Sequence, residues 1–161
     1  MRNIFSTVIS LVLLACSVVS NISFANDGLA SMDSGVVVES GFVRESIPGT
    51  SISSAYMTIN NLSATNMRLV AASSVVSERI EIHQHIMTDG LMRMRQCDHV
   101  DILAKSSTVF QPSGFHLMIF DLKQPLKAKE NIIITLHFDD QSSIDVNYTV
   151  KGLKQKKHHH H

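Results

Sequence analysis

Phe115-His116-Leu117-Met118-Ile119 alternates strictly, with large apolar residues at the odd positions and an imidazole and a thioether at the even ones. A repeat of two belongs to a β-strand, whose successive side chains leave opposite faces. Phe115, Leu117 and Ile119 therefore predict a core face, and His116 and Met118 turn together to the other side. The same pattern governs Arg79-Ile80-Glu81-Ile82-His83-Gln84-His85, where Ile80 and Ile82 face inward and His83 shares the opposite face with His85. Periodicity does not choose between these two histidines.

Outward from these segments, apolar residues recur at every second position far more often than at every third or fourth, which predicts an all-β chain. Strands are expected over 35–43, 51–60, 67–72, 78–87, 91–95, 100–103, 108–110, 115–122, 131–138 and 143–150. Asp89-Gly90 is a strong hairpin signal and Asn60-Asn61 a weaker one, while Pro112-Ser113-Gly114 stops one run before the next begins. Many short strands with frequent turns imply a sandwich or barrel.

The N-terminus has a different character. Arg2 precedes a largely apolar run from Ile4 to Val19 interrupted by Ser6, Thr7, Ser10, Cys16 and Ser17, and Ser23 and Ala25 stand where a signal peptidase reads small residues before cutting ahead of Asn26. Residues 1–25 are thus expected to be an export signal, 26–34 a flexible segment, 35–152 one β-sandwich domain and 153–161 a basic, histidine-rich tail. Leu13-Leu14-Ala15-Cys16 resembles a lipobox, so a lipoprotein anchored at Cys16 is the alternative to a soluble periplasmic protein. The full chain has 14 basic and 14 acidic residues, and export removes only Arg2 from that balance. Near-neutrality argues against a nucleic-acid partner, which would want a basic stripe. Cleavage after Ala25 leaves Cys97 alone, so no internal disulfide is expected.

The chemistry concentrates in the middle third, where His83, His85, Met87, Met92, Met94, Cys97, His99, His116 and Met118 fall within 36 residues. Thioether sulfur is soft and imidazole intermediate, so such a set favours Cu(I) over cations that want carboxylates and carbonyls. Each of these residues also has an ordinary reading, because methionine fills cores and a lone histidine is usually a satisfied polar group. The alternation of Met92 and Met94 with Arg93 and Arg95 allows a core placement for Met94. Cys97 is a poor candidate, since a thiolate would expose the site to oxidation outside the cytoplasm. His99 and His137 read as surface or loop histidines. An electron-transfer copper site would need a cysteine followed at the right spacing by a histidine and a methionine, and after Cys97 His99 comes too soon and no methionine follows until Met118. No nucleophile–base pair or paired carboxylates stand out, so an enzyme is not expected.

The order His83, ten residues, Met94, twenty-one residues, then His116-Leu117-Met118 resembles the H-x10-M-x21-H-x-M signature of the periplasmic copper chaperone family PCu(A)C. Ala55-Tyr56-Met57-Thr58-Ile59-Asn60 is similar to that family's early strand, and Pro112-Ser113-Gly114 to its approach to the second histidine. The resemblance spans roughly residues 36–150 and departs at Gln84, where the family often has methionine. It implies a cupredoxin-like β-sandwich of Greek-key type, with His83, Met94, His116 and Met118 holding Cu(I). It also implies delivery to an acceptor such as a cytochrome oxidase copper subunit, sometimes alongside a Sco-type thiol oxidoreductase. A monomer is expected. If native, the neutral imidazoles of His158–His161 can collect Cu(II) on the tail.

Overall fold

The computed structural model describes residues 30–31 and 35–152; the segment expected to be an export signal and the C-terminal histidines lie outside them. Eleven strands form, and there is no helix among the described residues. They are β1 (Ala30–Ser31), β2 (Val36–Arg44), β3 (Ser53–Asn61), β4 (Met67–Ser73), β5 (Arg79–Thr88), β6 (Leu91–Gln96), β7 (Val100–Ile102), β8 (Ser106–Phe110), β9 (Phe115–Phe120), β10 (Asn131–Phe138) and β11 (Ser143–Lys151). Each of the ten runs expected from alternation is a strand. The addition, β1, falls in the segment expected to be flexible and pairs antiparallel with β2.

One hydrogen-bonded path runs β6-β5-β9-β8-β3-β2-β11-β10-β4-β7. It doubles back at the parallel pairing of β2 with β11, so the strands on either side of that seam face each other as a sandwich. The connections β3–β4, β4–β5, β6–β7, β7–β8 and β9–β10 cross between the layers, as Greek-key topology requires. Eight-residue β10 and nine-residue β11 show the alternation best: in β11, Ile144, Val146, Tyr148 and Val150 are buried while Asp145, Asn147, Thr149 and Lys151 are exposed. The inward rows of both layers merge into one apolar cluster that includes Val43, Ala55, Ile59, Leu69, Ile82, Leu117, Ile119, Ile134 and Leu136. Tyr148 is wholly buried in it with its hydroxyl donating to the Met57 sulfur, and burial raises the phenol's pKa above its ordinary value. Gly41 is what lets this ring fit beside the β2 bulge, since a Cβ there would stand 3.2 Å from a Tyr148 ring carbon.

The turns follow local chemistry. Asp89 and Gly90 both have positive φ, 52° and 75°, which gives the two-residue turn that matches strand twist and joins β5 to β6. Asn60-Asn61 is a correction: both residues end β3, and the turn comes after them. Asn61 is fully buried and organises that turn, donating to the carbonyls of Thr65 (2.8 Å) and Ile102 (3.1 Å) and accepting from the Ser63 amide (3.0 Å) and hydroxyl (2.7 Å). A buried polar group costs about 1–3 kcal/mol when left unpaired. Asn61→Leu strands the Ile102 carbonyl and the Ser63 amide, so it is expected to lower the unfolding free energy by about 2–4 kcal/mol in urea titration. A loss below the error of that titration would mean the turn does not need the side chain.

Candidate metal centre

Three neighbouring strands build the site. In the antiparallel pairing of β5 with β9, His83 stands opposite His116 and Glu81 opposite Met118; in that of β5 with β6, His83 stands opposite Gln96 and His85 opposite Met94. Paired residues share a face, so Glu81, His83, His85, Met94, His116 and Met118 all lie on the side away from Ile82 and Leu117. His83 and His116 form the centre. Met94 and Met118 sit diagonally to His83, on opposite neighbours and in opposite directions, within the reach of a long thioether side chain.

The imidazoles are close and sheltered. The His83 and His116 ring centroids are 5.9 Å apart, and the His85 ring stacks on His116 at 5.0 Å. His116 is only 2% exposed although it faces away from the core, because Tyr56 covers it from β3 with a centroid distance of 6.3 Å. Met118 is half-buried, whereas Met94 is 45% exposed. The core placement that parity allowed for Met94 is therefore wrong. All of β6 is exposed, since it is the edge of its layer and no second layer covers it.

Hydrogen bonds set which ring nitrogen is free. His116 Nδ1 lies 3.1 Å from the Gly114 carbonyl, which can only accept, so Nδ1 carries the proton and Nε2 keeps a lone pair. His83 Nε2 lies 2.8 Å from Glu81 Oε2, which as a carboxylate also only accepts, leaving the lone pair on Nδ1. Those two lone-pair nitrogens, with His85 Nδ1, are buried and have no hydrogen-bond partner. Buried imidazole nitrogens without a partner are costly, and their convergence on one face beside two thioethers fits a soft metal ion. Among the described residues, no three His, Cys, Asp or Glu side chains already form a metal cage, so a donor set here has to draw on sulfur or on ring rotation.

The supporting groups had weaker sequence signals. Glu81 is held by Arg79, whose Nη1 is 3.3 Å from it and whose Nε bonds Asp121 at 3.1 Å while the guanidinium lies over the Phe120 ring. This is the carboxylate–histidine arrangement that orients metal ligands; its only trace in sequence is Glu81 two positions before His83. The Gly114 carbonyl accepts from the His85 amide as well as from His116, so the Pro112-Ser113-Gly114 turn orients both strands. Cys97 packs against the core on the opposite face, and burial, then Asp98, raises its thiol pKa, which disfavours the thiolate. His99 is exposed near Asp101, and His137 lies on the outer face of β10 with Nε2 2.7 Å from the Ser73 hydroxyl.

Burial lowers the His116 pKa below 6.5, with His85 and His83 adding to the effect and the Gly114 bond opposing it. A histidine whose folded pKa is depressed contributes stability that is complete above its unfolded value and is lost as pH falls below it. NMR of the metal-free protein is expected to find the neutral form of His116 carrying its proton on Nδ1, and to place its titration midpoint below 6.5. A midpoint at or above that value would contradict the buried, oriented ring.

The family model described as "Putative lipoprotein LpqE-like" matches residues 36–150. The uncharacterized protein RP573 of Rickettsia prowazekii is 32% identical over 141 residues, covering 83% of this chain and 78% of that one. Among solved structures, the Cu(I) form of DR1885 from Deinococcus radiodurans is 29% identical with a TM-score of 0.59, over 71% of this chain and 76% of that one. The copper-bound PCuAC domain from PmoF2 has a TM-score of 0.64 at 17% identity, over 74% of this chain and 94% of that one, a likeness of fold alone. The architecture is the cupredoxin-like β-sandwich expected from the sequence.

Proposed function

The chain belongs to the LpqE-like family, and we propose that it is an extracytoplasmic copper carrier that holds Cu(I) with His83, Met94, His116 and Met118 and surrenders it to an acceptor. The observation that carries this reading is the pair of buried, unpartnered lone pairs on His83 Nδ1 and His116 Nε2, on one sheet face with two thioethers. The Cu(I) state of DR1885, 29% identical, supports it by likeness. Two imidazoles and two thioethers are neutral donors that suit Cu(I). They also leave the ion's charge uncompensated, so an acceptor with thiolates, such as the copper centre of a cytochrome oxidase, should draw it away. Exposure of Met94 on an edge strand leaves one ligand open to exchange. In this reading the protein is a carrier and not an enzyme.

Replacing His83, Met94, His116 or Met118 singly is expected to weaken Cu(I) binding by more than the roughly 10–100-fold that losing an outer-shell partner costs. Glu81→Ala should fall within that range, and Met92→Ala and Cys97→Ser should leave most of the affinity. Competition against a Cu(I) chelator measures all of these. Loss in Cys97→Ser with none in Met118→Ala would refute the ligand set. Mixing the Cu(I)-loaded protein with a copper-free oxidase copper-centre domain tests delivery, and retention of copper against an acceptor of higher affinity would make the protein a store.

The family description as a lipoprotein supports export, and the two expected products are a lipid-modified Cys16 or a chain starting at Asn26. Intact-mass measurement on protein from cells separates them. An N-terminus still carrying residues 1–15 would contradict both.

A further inference from the structure

One imidazole in the cluster is not used by a two-histidine, two-methionine site. His85 stands opposite Met94 in the β5–β6 pairing, its backbone amide is tied to the Gly114 carbonyl at 3.2 Å, and its ring stacks on His116 more closely than that of His83 does. Its Nδ1 is buried and has no hydrogen-bond partner, in the same condition as the free nitrogens of His83 and His116. A histidine present only to cover its neighbour would gain by turning that nitrogen to water or to a donor.

We propose that His85 is the third nitrogen donor of a site that accepts copper in both oxidation states: His83, His85 and His116 hold Cu(II), while His83, His116 and the two thioethers hold Cu(I). This rests on the copper reading above and extends it. Cu(II) prefers nitrogen in a tetragonal arrangement and Cu(I) tolerates sulfur, so one sheet face with three imidazoles and flanking methionines offers each ion its own donor subset. The rings are stacked or tilted and form no closed cage. With His83 and His116 held by Glu81 and Gly114, what closes it is rotation of the His85 ring about χ2, a torsion with a broad profile. Met94 stands opposite His85 and His116 stacks on its ring, while Met87 and Met92 beyond it on the same face are exposed. The proposal concerns binding of each ion and not their interconversion.

The test uses the full chain with His158–His161 replaced by serine, so that tail imidazoles do not compete. In that background His85→Ala and His85→Phe are compared with the parent; phenylalanine keeps a ring over His116 and removes only the nitrogen. Both are expected to hold Cu(I) within about threefold of the parent in chelator competition, and to lose at least about tenfold in Cu(II) affinity. Electron paramagnetic resonance should show the coupled nitrogens falling from three to two. Unchanged Cu(II) affinity and coupling in His85→Phe would overturn the proposal, as would an equal loss of Cu(I), which would make His85 a ligand to both. Failure of the parent itself to bind Cu(I) would instead sink the copper reading, a separately visible result.

Discussion

The register that sets His83 against His116 is the constraint on which the molecule turns. It places Ile82 opposite Leu117 on the inner face and, by the alternation of the same two strands, the imidazoles on the outer one. A slip of one residue in either strand would send its histidine-bearing row into the core and its core row into solvent. Burying charged or unpaired imidazoles among Leu117, Ile119 and Ile134 is costly, so the hydrophobic core itself enforces the geometry of the site. Stability and chemistry are therefore two faces of one pairing.

The outer face is not an ordinary solvated surface. His116 is as buried as a core residue, roofed by Tyr56 and flanked by the other two imidazoles. Two fixed acceptors, the Gly114 carbonyl and the Glu81 carboxylate, hold the ring protons on the far nitrogens and leave the lone pairs unmatched. Such unmatched nitrogens lower the stability of the metal-free fold, and they do so at the place where an ion would satisfy them. The Arg79–Asp121 pair behind Glu81 keeps that carboxylate oriented toward His83.

The β5–β6 hairpin adds an element with a different physical character. It extends past the second layer, so β6 is exposed along its whole length and brings Met94 to the site from an open edge. Arg93 and Arg95, on the face opposite Met92 and Met94, place charge along an edge that would otherwise invite strand pairing. A buried imidazole pair from β5 and β9 thus meets a thioether from an exposed edge strand, which is the arrangement the proposed copper carrier would use.

The sequence by itself determined the strands and their two faces, because a period of two is a local property of the chain. It also determined the Asp89-Gly90 hairpin, whose positive φ values those residues adopt readily. From alternation alone, His116 and Met118 shared a face, as did His83 and His85. Beyond that hairpin, which strands pair was decided only in three dimensions: β5 pairs on its other side with β9, and nothing in local periodicity says so. Burial of His116, exposure of Met94 and the role of Asn61 at the end of β3 follow from layers crossing far along the chain. So does the state of the ring nitrogens, because a lone pair is free or matched according to what a distant turn and a neighbouring carboxylate bring to it, and that is a property of the assembled fold.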